Sequence, residues 1–278
     1  MNARPCPVPW RERGTLVAGG RRLEYACLGP PPAEAATLVL LHEGLGSVGL
    51  WRGFPAALGE ATGLGVLAYS RAGYGRSQPI ELPRPLDYMT REALEVLPAV
   101  LDAAGIRRAA LVGHSDGATI AAIHAGRVVD PRIGALVLIA PHFFTEETGL
   151  AAIAEAKVAF ERGDLRERLA RHHDDPDNAF RGWNDAWLDP GFRGWNVADV
   201  IGTVGVPILA IQGREDQYGT LAQIEALAER ARVPCETLIV EDCRHAPHLE
   251  HGPSVIAAIA RHCAQLAGPE PPAPTGVS

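Results

Sequence analysis

Short apolar runs alternate with amphipathic stretches along most of the chain. The runs RGTLVAG (13–19), LEYACLG (23–29), TLVLLH (37–42), GVLAYS (65–70), AALVGH (109–114), GALVLIA (134–140), PILAIQG (207–213) and ETLIVE (236–241) have the length and aliphatic content of strands. Most lack polar alternation, which marks strands buried on both faces, as in a parallel sheet covered by helices. The stretches WRGFPAALGEA, TREALEVLPAVLDAAG, DGATIAAIHAGRV, TLAQIEALAERAR and SVIAAIARHCAQLA lie between or after these runs and read as helices. The first two strands follow one another without a helix, so they read as an antiparallel hairpin at one edge. The pattern predicts an α/β fold: a mostly parallel eight-stranded sheet flanked by helices.

One interval breaks the alternation. More than sixty residues separate GALVLIA from PILAIQG, far more than an ordinary crossover needs, and they include the helical patterns LAAIAEAKVAFERG and DLRERLARHH. This predicts a helical cap over 144–203 inserted into a core made of 13–143 and 204–267. Within the cap, Trp183, Trp187 and Trp195 either anchor it to the core or line a substrate pocket. Residues 1–12 read as an N-terminal arm, and the Pro-rich 268–278 as a solvated, flexible tail.

Composition narrows the partners. The chain has 26 basic and 33 acidic residues, a net charge of -7, and no basic stripe that could track phosphates, so nucleic acid is not expected. The start, MNARPCPVPWRERG, lacks the apolar core of a signal peptide, and no apolar run is long enough to span a bilayer. The expectation is a cytoplasmic protein with a small-molecule substrate and no membrane partner; assembly into a homo-oligomer stays open. Cys6, Cys27, Cys235, Cys243 and Cys263 are odd in number and form no C-x-x-C pair, which argues against a disulfide framework or a zinc site.

The chemistry concentrates in LVGHSDGA (111–118), a G-x-S-x-G sequence that follows a strand candidate and opens an Ala-rich helix. A serine on such a tight strand-to-helix turn projects its hydroxyl beside backbone N–H groups at a helix N-terminus, and Gly113 and Gly117 remove side chains that would collide there. A hydroxyl is a weak nucleophile until a base takes its proton. Asp216, in IQGREDQYG, and His245, in EDCRHAPHLE, each follow a strand candidate, and the chain order Ser115, Asp216, His245 suits this architecture. Glu215 competes with Asp216, which is favoured by its position three residues after Gly213. His248 and His251 compete with His245, which is favoured as the first histidine after the last strand. LVLLHEGLGS (38–47) supplies a donor for a tetrahedral oxyanion: the Gly44 N–H, with Leu45 as its neighbour, alongside the Asp116 N–H. Leu45, Asp116, His142, Trp183 and Trp187 are the candidate pocket residues.

With these motifs in order, the chain resembles the α/β-hydrolase family over roughly residues 13–267, and in particular its capped esterase-like members. Those include carboxylesterases, enol-lactonases and hydrolases of carbon–carbon bonds. The resemblance implies a serine esterase acting through an acyl-enzyme, with no cofactor and no metal. A carbon–carbon bond or lactone hydrolase sharing the triad, or a small-molecule receptor of the same fold, is the alternative. Epoxide hydrolases and haloalkane dehalogenases of this fold place aspartate at the nucleophile position, where this chain has Ser115. The family's oxyanion motif usually begins His-Gly, whereas here Glu43 follows His42. The loop YSRAGYGRS (69–77) looks like the family's braced turn after the fourth strand. The Asp116 side chain has two readings: it complements the helix macrodipole, or it pairs with a cationic group on the substrate.

Overall fold

The computed structural model describes residues 9–10 and 12–267; most of the N-terminal arm and the whole tail read from the sequence lie outside the described residues. In chain order the strands are β1 (Arg13–Ala18), β2 (Arg21–Leu28), β3 (Thr37–Leu41), β4 (Gly65–Tyr69), β5 (Ala109–His114), β6 (Ile133–Ile139), β7 (Ile208–Gly213) and β8 (Cys235–Val240). The helices are α1 (Phe54–Thr62), α2 (Tyr88–Arg91), α3 (Leu97–Ala103), α4 (Asp116–Arg127), α5 (Glu147–Arg162), α6 (Leu165–Leu169), α7 (Pro176–Trp187), α8 (Ala222–Arg230), α9 (Pro247–Glu250) and α10 (Gly252–Cys263).

The eight strands form one sheet in the order β1-β2-β4-β3-β5-β6-β7-β8. β1 pairs antiparallel with β2, and β2 antiparallel with β4; every other pairing is parallel. The chain is an α/β-hydrolase fold. The unbroken apolar runs have the burial they imply, since every residue of β3, β4, β5 and β7 is buried. Alternate side chains enter opposite cores: Val39, Leu41 and Leu111 pack on one face, and Leu38, Leu40, Ala110 and Val112 on the other. Edge strand β8 is half-open, with Glu236 and Thr237 exposed.

Two local patterns depart from the sequence reading. The stretch 90–105, read as one helix, contains a π-helical turn at Glu92–Val96 between α2 and α3. Pro98 sits in the first turn of α3 and has no N–H to return to a carbonyl four residues back, so the widened turn absorbs the missing bond. The second is α7, which the sequence reading treated only as an aromatic segment. Its start is specified by Pro176 in the first turn and by the Asp175 side chain, which accepts the Asn178 N–H at 2.9 Å.

The excursion between β6 and β7 carries α5, α6 and α7 and closes on itself at its base. Phe144 and Asn196 form an isolated antiparallel bridge, the Val197 N–H donates to the Phe143 carbonyl at 2.7 Å, and the Thr145 N–H donates to Trp195 at 3.2 Å. Trp195 stacks on Phe192 with ring centroids 5.0 Å apart, and meets Trp187 at 5.7 Å. Among the described residues no helix is long and apolar enough to cross a membrane.

Candidate active site

Ser115 occupies the turn from β5 to α4 with φ 52° and ψ −120°. A non-glycine residue in that region carries strain of about 1–3 kcal/mol, so surrounding bonds must hold it there. Its N–H donates to Ile139 at 2.8 Å, and its carbonyl accepts from Ala118 and Thr119 at 2.9 and 3.1 Å. A Cβ on Gly113 would run into the carbonyl of Gly117, and one on Gly117 into the carbonyl of Leu41. The two glycines therefore let the strand and helix approach closely enough to form the turn. As the first residue of α4, Asp116 has an N–H with no intrahelical partner.

Asp216 follows β7 with its side chain only 1% exposed. Its Oδ1 accepts the Tyr218 N–H at 2.8 Å, Oδ2 accepts from Gln212 Nε2 at 2.8 Å, and His245 Nδ1 lies 2.9 and 2.8 Å from the two oxygens. Burial pushes this carboxyl up, but the charge and hydrogen bond of His245 and the Tyr218 N–H outweigh it and hold the group below its ordinary range. Because Nδ1 donates to the carboxylate, Nε2 is the imidazole nitrogen left for other work. The Tyr218 ring stands edge-on to His245 at 4.8 Å. Glu215, the competing acid, is exposed. His248 is buried against Trp51 and Phe54 at 5.1 and 5.2 Å, and His251 bonds the Asp242 carbonyl at 3.2 Å.

Ser115 and His245 line one cavity of about 90 Å³. Among the described residues no hydrogen bond joins the Ser115 hydroxyl to His245. Such bonds are often long in unliganded hydrolases and tighten when substrate binds.

Gly44, Leu45, Asp116, His142, Trp183 and Trp187 also border this cavity. The Trp183 indole lies so close over Gly44 that a side chain at position 44 would overlap it. Beneath, Arg71 is 1% exposed; its guanidinium donates to the carbonyls of His42 and of Glu43, the latter at 3.0 Å, and so pins the turn that carries Gly44. His142 meets Trp187 edge-on at 5.4 Å; burial and the neighbouring His245 push its imidazole down to about 3, so it is neutral at ordinary pH.

The Asp116 side chain is fully buried. Its Oδ2 accepts the Tyr88 hydroxyl at 2.5 Å and lies 3.9 Å from Arg71, and the Trp187 indole N–H donates to the same hydroxyl at 3.0 Å. A carboxylate so enclosed, with an internal cation beside it, is poorly placed to meet a substrate cation. Its place is within a network joining α4, the loop after β4 and α7.

The cavity has three further wall residues that the sequence reading did not assign to it: Glu43, Ile153 and Tyr218. Tyr218 had a usable signal, standing two residues beyond Asp216 in a turn closed by that carboxylate. Ile153 had none, because an apolar residue on amphipathic α5 reads equally well as packing.

Sheet order, the strained serine turn and the Asp216–His245 pair are those of a hydrolase fold, and the chain belongs to the alpha/beta hydrolase family, whose family model matches residues 38–259. Over 106 residues it is 34% identical to epoxide hydrolase B of Mycobacterium tuberculosis, a match covering 38% of this chain and 29% of that protein. The matched part thus spans less than a third of that relative's length. Among solved structures, the enol-lactonase from Burkholderia xenovorans LB400 is similar with a TM-score of 0.70 and 21% identity, covering 90% of this chain and 99% of that one. Proline iminopeptidase from Mycobacterium smegmatis is similar with a TM-score of 0.70 and 18% identity, covering 92% and 99%. At these identities the structural likenesses establish the fold.

Proposed function

We propose that the protein is a serine hydrolase that cleaves small carboxylic esters through an acyl-enzyme. The observation that carries this reading is the Asp216 carboxylate on His245 Nδ1, with His245 on the wall of the cavity that Ser115 also lines. Ser115 attacks the ester carbonyl while His245 Nε2 takes its proton; the tetrahedral oxyanion is held by the N–H groups of Gly44 and Asp116. His245 then returns the proton to the departing alcohol and activates the water that releases the acid. Asp216 fixes the tautomer and stabilises the imidazolium.

The segment 144–203 acts as a cap in this reading, with Trp183, Trp187 and Ile153 closing the cavity from above. The cavity volume, about 90 Å³ against roughly 300–1,000 Å³ for ordinary ligand pockets, favours short acyl groups. The position that carries aspartate in epoxide hydrolases of this fold is Ser115 here, which favours carbonyl chemistry over epoxide opening. A soluble, cytoplasmic enzyme needing no cofactor or metal completes the proposal.

Fluorophosphonate labelling with mass mapping, run beside p-nitrophenyl acetate turnover, tests it. Stoichiometric modification of Ser115 with repeated turnover is expected. Modification with a single slow turnover would favour a receptor, and an unmodified Ser115 would remove the proposal altogether. A parallel panel of lactones and carbon–carbon bond substrates separates the ester reading from its alternative.

A further inference from the structure

Glu43 stands where the family's oxyanion motif usually has glycine, and the proposed cycle gives its side chain no task. Its Oε2 lies 3.4 Å from His114 Nδ1, and the other nitrogen of that ring, Nε2, lies 2.7 Å from the backbone carbonyl of His245. His114 is the last residue of β5, 3% exposed, and immediately precedes the nucleophile. We propose that Glu43 and His114 form a second carboxylate–imidazole pair that tethers the His245 main chain, making both of them positioning residues for the general base.

The geometry carries this in two steps. First, both ring nitrogens of His114 face acceptors, and an imidazole satisfies two acceptors only by donating from both, which makes it an imidazolium. Burial opposes that charge, but the Glu43 contact, the His245 carbonyl and the more distant Asp216 outweigh it and raise the group above the ordinary histidine range. For Glu43, burial is again overcome, chiefly by His114, and the carboxyl is held well below its usual range. The side chain keeps 27% of its surface exposed while that of His114 has 3%, so the pair is buried from one side only.

Second, the contacts fix the base at both ends. Asp216 holds the ring of His245 through Nδ1, while His114 holds the backbone of the same residue in the segment between β8 and α9. A ring held only through its carboxylate could still swing with that segment, and a displacement of about 1 Å at a reacting group can cost roughly 10²-fold in rate. The charge balance also matters, because the His114 and His245 rings lie only 5.0 Å apart. A bare imidazolium there would oppose the one that forms on His245 in the transition state; the Glu43 carboxylate offsets it. The remaining groups around His114 are His248, with ring centroids 4.6 Å apart, the Trp51 ring at 6.5 Å, and His142 across the cavity. Burial holds both of those histidines well down, so neither supplies a competing cation.

The inference rests on the serine-hydrolase reading, and the test separates the two. In the full-length protein labelled with ¹⁵N-histidine, the ring nitrogens of His114 are expected to show the doubly protonated pattern at pH 7, and Glu43→Gln to shift them toward a neutral ring. With p-nitrophenyl acetate, His114→Ala is expected to lower kcat roughly 10- to 100-fold with KM changed less than about twofold, and to slow fluorophosphonate labelling of Ser115 in parallel. His114→Gln, whose amide nitrogen can take the place of Nε2 and donate to the same carbonyl, is expected to recover much of the loss. A neutral His114 in the wild type overturns the inference, as does a His114→Ala variant labelled at the wild-type rate or a Gln variant no better than Ala. A wild-type Ser115 that resists the label overturns the hydrolase reading and this inference with it, whereas a labelled wild type with an equally labelled His114→Ala overturns the inference alone.

Discussion

Ser115 and Asp216 carry sharply different costs, and their variants should separate accordingly. Ser115→Ala keeps the Cβ, and with it the backbone strain the fold already bears at positive φ, so the fold should survive while steady-state turnover of p-nitrophenyl acetate falls by roughly 10⁴-fold or more. Asp216 also bears on stability. Its folded carboxyl is held below the unfolded value of about 3.9, so it contributes stability above that pH, and the contribution disappears as pH falls through the folded value. Thermal melts of wild type and Asp216→Asn should therefore differ most above about pH 5 and converge as the pH is taken below 4. A constant difference across that range would show that the carboxylate charge is not what stabilises the fold. Ser115, Asp216 and His245 could be named from the sequence because each stands just beyond a strand, at the end of the parallel sheet where side chains converge. Glu43 was not assigned a role, because it meets His114, a partner distant in sequence.

Among the elements, α4 depends most on small side chains. Its residues from Asp116 to His124 are buried, and Gly117 lies directly against the Leu41 carbonyl of β3. Gly117→Ala should lower the melting temperature by roughly 5–10 °C or more and reduce Ser115 labelling with it, since α4 cannot shift without moving the serine turn. A differential scanning fluorimetry trace unchanged from wild type would contradict that account. The eight strands were legible because apolar runs of five to eight residues punctuated by turn residues have few other uses. The π-helical turn at Glu92–Val96 was not, since the pattern of apolar positions continues through it and only Pro98 hints at a missing bond. Helix α7 escaped for a different reason: its buried face is built from Phe180, Trp183 and Trp187, which also suit an irregular aromatic loop.

For the molecule as a whole, selectivity is expected to follow the space between the sheet and the overlying helices. Across a p-nitrophenyl ester series, kcat/KM should be highest for acetate or propionate and fall by at least tenfold at octanoate. Removing the indole over Gly44 by Trp183→Ala should move that optimum toward longer chains; an unchanged series would place the acyl group elsewhere. The existence of the excursion was plain from its length, but which of its side chains reach the cavity depends on how α5 and α7 settle over the sheet, which no local pattern encodes.

The bridge between Phe144 and Asn196 brings the two ends of that excursion side by side. Because the chain departs and returns through one narrow neck, the cost of closing a longer or shorter detour there grows only with the logarithm of its length, and the strand pairing below need not be renegotiated. The excursion is thus the part of this molecule most open to transplantation: a counterpart from a distant relative, grafted at the neck, is expected to replace the cavity walls that α5 and α7 supply while the strand ends stay where they are.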